Sequence, residues 1–151
     1  RFFKGKFIAG VIDLYEALSK NDSEKAIEAY KQWGFKDINK NKLEVLNKWA
    51  RFIYAPLMED KIQNIQENQS GVYGAKMASE VHKELRKLGG IQPPREFVFM
   101  DRAAVGLGSV FMHLRAELNW YKMFHELIEN FSVKDVDSIQ QKTLNICKLS
   151  L

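Results

Sequence analysis

The sequence predicts an all-α protein: a single helical domain of about six helices. Three observations carry this. Apolar residues recur at three- and four-residue steps from Phe7 to Phe131, the period of a helix with one buried face. No stretch alternates apolar and polar residues strongly enough to commit to a strand. Residues suited to starting or stopping helices fall between the apolar stripes: Asn21-Asp22, Gly34, Gly89-Gly90, Pro93-Pro94 and Asn119.

The first stripe is Phe7, Ile8, Val11, Ile12, Tyr15 and Leu18. Asn21 or Asp22 can then accept from the free amides of a second helix, and Glu24 adds favourable charge to its first turn. Ala26, Ile27, Ala29, Tyr30 and Trp33 continue on that helix, and Gly34 is its stop. The pair makes an antiparallel helical hairpin. Leu43, Leu46, Trp49 and Ile53 form a third stripe, which Pro56 ends or kinks because proline has no amide and clashes with the preceding turn. Asn68 to Gly71 is the best candidate for a mobile connection. Val72, Ala75, Ala78, Val81, Leu85 and Leu88 form a fourth helix, closed by Gly89-Gly90. A fifth follows the two prolines. Asn119 caps a sixth, bearing Trp120, Phe124, Leu127, Ile128 and Phe131. Residues 132–151 read as a tail, in which Val136, Ile139 and Ile146 support a short helix or fray. The domain proper is residues 1–131.

At 151 residues the chain is long enough for one domain with a real core. Its net charge of +4 is mild, and basic residues are interleaved with acidic ones. That pattern suits a solvated helix surface and gives no block of the kind nucleic-acid binding uses, so no nucleic-acid partner is expected. One cysteine, Cys147, makes no internal disulfide, and a reducing compartment is the simplest inference. The chain starts at Arg1 and enters an apolar pattern at once, which suggests a piece of something longer.

The stretch from Ile91 to Leu114 is the most informative. Pro93 and Pro94 open a helix, since a first-turn amide would be unpaired anyway. Gly106 and Gly108 each cost that helix roughly 1 kcal/mol relative to alanine. With Ala103 and Ala104 they form a strip of small residues where another backbone can approach. The expectation is a central helix with neighbours on most sides. Asp101 and Arg102 point about 100° apart and do not face each other. They read as members of buried ion pairs that specify packing, with a ligand or catalytic role as the alternative. Pro93, Pro94, Asp101, Arg102, Ala104, Gly106 and Gly108 are therefore the candidate structural residues.

Chemistry is harder to find. His82, His113 and His125 show no His-Glu-x-x-His arrangement and there is no Cys-x-x-Cys, so no zinc site is expected. "GLGS" lies inside a helical pattern and not after a strand, so it is no phosphate loop. No Gly-x-Ser-x-Gly elbow is present, and the carboxylates are scattered. The residues themselves nominate no catalytic, cofactor-binding or metal-binding side chain.

The stretch "PPREFVFMDRAAVGLGSVFMHLRAELNW" resembles the C-terminal part of the UbiB/AarF family of atypical protein-kinase-like proteins. There a Pro-Pro-[Arg/Glu]-Glu lead precedes an apolar helix with a His/Asp-Arg dipeptide and small residues behind it. Pro93, Pro94, Arg95, Glu96, Asp101, Arg102, Gly106 and Gly108 occupy those positions. Arg1, Phe2, Phe3, the "FIAGVIDLYEAL" helix and its polar corner resemble the segment that follows the family's Asp-Phe-Gly. The likeness covers residues 1 to about 131.

The resemblance implies the C-terminal helical subdomain of a kinase-like C-lobe. The family's nucleotide-binding lysine, its Lys-x-Gly-Gln segment, its catalytic-loop Asp and Asn and its metal-binding Asp would all lie upstream. ATP and Mg²⁺ would belong to the parent protein, whose activity is kinase-like or ATPase and is associated with ubiquinone biosynthesis or lipid homeostasis. The implied partners are the upstream kinase-like lobe and a membrane surface or lipid. The implied location is cytoplasmic, peripheral to the inner membrane through the parent. The alternative is a free-standing helical module that binds protein or lipid without enzymatic activity.

Overall fold

A computed structural model describes residues 3–65 and 71–148, and the side chains within them except those of 71, 72, 98 and 101. Arg1, Phe2, most of the Asn68–Gly71 connection and the side chain of Asp101 lie outside the described residues. Seven α-helices are present among those described: α1 (Gly5–Lys20), α2 (Ser23–Gln32), α3 (Lys40–Tyr54), α4 (Gly71–Lys87), α5 (Arg95–His113), α6 (Trp120–Ile128) and α7 (Val133–Ile146). Two short strands, β1 (Gln63–Asn64) and β2 (Glu117–Leu118), pair antiparallel with Gln63 opposite Leu118. The class is all-α.

The helix ends follow the local signals. Asn21 takes a left-handed conformation (φ 55°) to close α1, and the Asp22 carboxylate accepts from the Lys25 amide at 3.0 Å to start α2. Gly34 closes α2 at φ 90°, with Phe35 N donating to Tyr30 O at 3.1 Å. Asn39 and Asn119 cap α3 and α6, each 2.9 Å from the amide three residues on. α3 stops at Tyr54 and passes into a 3₁₀ turn, Ala55–Leu57, because Pro56 cannot supply the next amide. Gly89 and Gly90, at φ 91° and 75°, end α4.

The core lies between α1, α2 and α3. Leu14, Tyr15, Leu18, Ala26, Ala29, Tyr30, Trp33, Phe35, Leu43, Leu46, Ala50 and Tyr54 are all buried there. Its polar atoms are satisfied, as burial demands. Tyr54 Oη donates to Val11 O at 3.1 Å, Tyr30 Oη to Asn47 Oδ1 at 3.1 Å, and Trp33 Nε1 to Phe7 O at 3.0 Å. Burial raises the pKa of both phenols far above its ordinary value.

The central helix is α1 and not α5. α2 packs along it, α3 and α7 touch its other sides, and the Phe7 ring meets Phe97 of α5 at 5.4 Å. Its glycines make room for this. A Cβ on Gly10 would stand 2.5 Å from Trp33 Nε1, and one on Gly5 would stand 2.7 Å from Val133 O. α5 is different. A Cβ on Gly106 or Gly108 would meet nothing within 4 Å, and Ala104 is exposed. The strip of small residues is present, but among the described residues no backbone nestles against it.

The C-terminal segment is also more than a tail. Ser132 caps α7, whose first turns lie against the start of α1. The Gly5 amide, free at the start of its own helix, donates to Asp137 Oδ1 at 2.8 Å, and Gln140 bonds Phe3 O. Leu144 is buried. The apolar positions of 132–151 are few, but the unpaired amide of α1 supplies a partner that local pattern does not reveal.

Candidate functional site: the free side of the fifth helix

α5 carries the residues singled out by sequence. Pro94 sits at its N-cap position (φ −56°, ψ 151°), with helix following at Arg95. Pro93 and Pro94 therefore lead the helix without breaking it. Two aromatic side chains fasten it. Phe97, near its start, lies edge-on to Trp33 at 4.7 Å and to Phe35 at 5.8 Å. Phe111, near its end, lies edge-on to Trp120 at 4.9 Å. Trp120 is in turn fixed by its indole N–H on Gln63 O at 2.8 Å. At 1.5 Å per residue the two fastenings are about 21 Å apart.

Between them one side of the helix faces solvent. Every residue from Arg102 to Leu107 is exposed. Arg102 is therefore not half of a buried ion pair, and the expected buried pairing is not what this side chain makes. Val105 is 73% exposed, Leu107 59%, Val110 51% and Leu114 70%. Ala103, Gly106, Leu107, Val110 and Leu114 are spaced i, i+3, i+4, i+7 and i+11, one stripe on the free side. Phe97, Met100 and Phe111 lie on an adjoining stripe that turns inward. α5 is thus apolar round more than half its girth, and its own domain covers only part of that.

Other places offer less. At the α1–α2 corner Ala17, Leu18, Asn21, Asp22, Ser23, Asn47 and Arg51 line a hollow of about 130 Å³, below the ~300 Å³ at which ligand pockets begin. Arg51 there is already committed to Asn21 Oδ1 at 2.7 Å. The Tyr15 hydroxyl donates to Leu57 O at 3.0 Å and stands 3.5 Å from His125 Nε2, while His125 Nδ1 is 2.8 Å from Tyr121 O. Burial raises the Tyr15 pKa, with the nearby Tyr121 adding to it. This cluster ties α6 to α1 and the 3₁₀ turn. Reading the sequence alone did not bring it out, because Tyr15 and His125 are 110 residues apart. No group of three His, Cys, Asp or Glu among the described residues could hold a metal ion. No helix among them is long and apolar enough to cross a membrane.

No protein-family profile, curated protein or solved structure matches the chain.

Proposed function

We propose that this chain is the C-terminal helical, non-catalytic portion of a UbiB-like atypical kinase or ATPase associated with ubiquinone biosynthesis or lipid homeostasis. The observation that carries the reading is the coincidence of two features in α5. It is the element on which the resemblance from Pro93 to Asn119 is strongest, and it is the element whose apolar side its own domain leaves open. A helix with Val105, Leu107, Val110 and Leu114 in water suits a portion of a larger assembly better than a finished unit.

Among the described residues no group of three His, Cys, Asp or Glu is placed to hold a metal ion, and the hollow beside Arg51 is about 130 Å³. In this reading ATP and Mg²⁺ belong to the parent's upstream lobe, where phosphate positioning and charge neutralisation occur. This chain supplies rigidity and a docking surface to that lobe. The parent works at the cytoplasmic face of the inner membrane.

The test is to read the gene upstream of Arg1. The expected result is an open frame carrying the kinase-like motifs. Calorimetry of this chain with Mg-ATP should then give no binding heat, while the full gene product binds. A start codon directly ahead of Arg1, or tight Mg-ATP binding by the 151 residues alone, overturns the reading.

A further inference from the structure

We propose that the stripe Ala103, Gly106, Leu107, Val110 and Leu114 is the seat of one helix from the upstream lobe of the same polypeptide. The inference rests on the reading above and deepens it by naming the surface and its occupant. The spacing is that of a helix face built to meet another helix. Open space above Gly106, where a Cβ would meet nothing within 4 Å, permits a close approach at the middle of the stripe. Arg102 and His113 lie on one edge of it, eleven residues apart and both exposed. The covering helix should therefore be apolar along its centre, with carboxylates facing that edge.

Area decides between a tethered helix and a second copy of this chain. Leu107, Val110 and Leu114 together leave on the order of 300 Å² of apolar side chain open. Two copies meeting through this face would bury on the order of 600 Å² of it, about half of what a stable specific interface needs. A helix on the same polypeptide does not lose translational freedom on docking, so a face of this size suffices for it.

Hydrogen exchange, read on the α5 amides in this chain and in the full gene product, tests the proposal. We expect this chain to sediment as a monomer. The Arg102–Leu114 amides should exchange at least about tenfold more slowly in the full product. Val110→Glu should abolish that difference while leaving the helical signal and melting of this chain unchanged. Gly106→Ala should slow exchange in this chain and speed it in the full product, a reversal that a purely local effect does not produce. If the upstream motifs exist but α5 exchanges equally fast in both contexts, the docking proposal is wrong and the family reading stands. A stable dimer of this chain broken by Val110→Glu overturns it in favour of a second copy. Binding to anionic phospholipid vesicles lost in Val110→Glu overturns it in favour of a membrane surface. If the upstream motifs are missing, the family reading falls first.

Discussion

Helices α1 and α5 look alike on paper and differ in the fold. Each is apolar, and each carries two glycines within its length, Gly5 and Gly10 in one and Gly106 and Gly108 in the other. In α1 both glycines are pressed, one by the Trp33 indole and one by the backbone of Val133. In α5 a Cβ at either would meet nothing within 4 Å among the described residues. A glycine in a helix thus marks where a neighbour can come close. It does not say that the neighbour belongs to the same domain. α1 spends its glycines on partners within this chain, whereas no described residue stands against those of α5.

The strongest way to break this comparison is alkali. Tyr30 and Tyr54, packed around α1 and α2, have pKa values raised by burial above the ordinary 10.0. The folded state holds their protons where the unfolded state releases them. Stability is therefore fully present below pH 10 and falls as pH rises above it, by about 1.4 kcal/mol per pH unit for each phenol. Phenolate absorbance near 295 nm should appear together with the loss of helical signal and not before. Early ionisation of these tyrosines in a folded chain would show that the α1 body is looser than described.

Next is a leucine pair. Leu18 of α1 is 2% exposed, and Leu18→Ala should cost about 3 kcal/mol in urea unfolding. Leu107→Ala, on α5, should stay within about 0.5 kcal/mol. Equal losses would mean that α5 is packed after all.

The glycines themselves sharpen the contrast through opposite signs. Gly10→Ala places a methyl group into the Trp33 ring, which its hydrogen bond to Phe7 O and its aromatic neighbours hold in place. The net loss should be about 2 kcal/mol, overpacking outweighing the better helix propensity of alanine. Gly106→Ala in this chain meets open space and should raise stability by up to about 1 kcal/mol. A loss at Gly106 would reveal a hidden neighbour.

The smallest effect belongs to the α1–α2 surface. Lys25 Nζ lies 2.6 Å from Glu16 Oε2. That hydrogen bond lowers the Glu16 pKa and raises that of Lys25. The Glu16 contribution is present above its unfolded pKa and is lost as pH falls through the lowered folded value. Because the pair is largely solvated, Glu16→Gln should cost under about 0.5 kcal/mol, and less at high salt.

Much of the fold was legible because it is written locally. Asp22, Gly34, Pro56, Gly89 and Asn119 act within four residues of themselves, and a helix end falls at each of them. The docking of α7 was not legible, since it depends on Asp137 reaching the Gly5 amide across 132 residues. The candidate site was half legible. Pro93 and Pro94 announced the helix, whereas the close approach expected at its small residues is made by no described residue. Its two fastenings, Phe97 and Phe111, could not be told from any other core aromatic, and its free side could not be told from a buried one.

The sequence by itself determined that this protein is helical, where most of its helices begin and end, and which stripe of each is apolar. Those properties follow from backbone sterics, capping and periodicity, which act over a few residues. Only the tertiary structure decided which apolar stripe is covered. Burial is a property of what stands opposite, and the residues opposite α1 arrive from α2, α3 and α7, while nothing described in this chain arrives opposite the free side of α5.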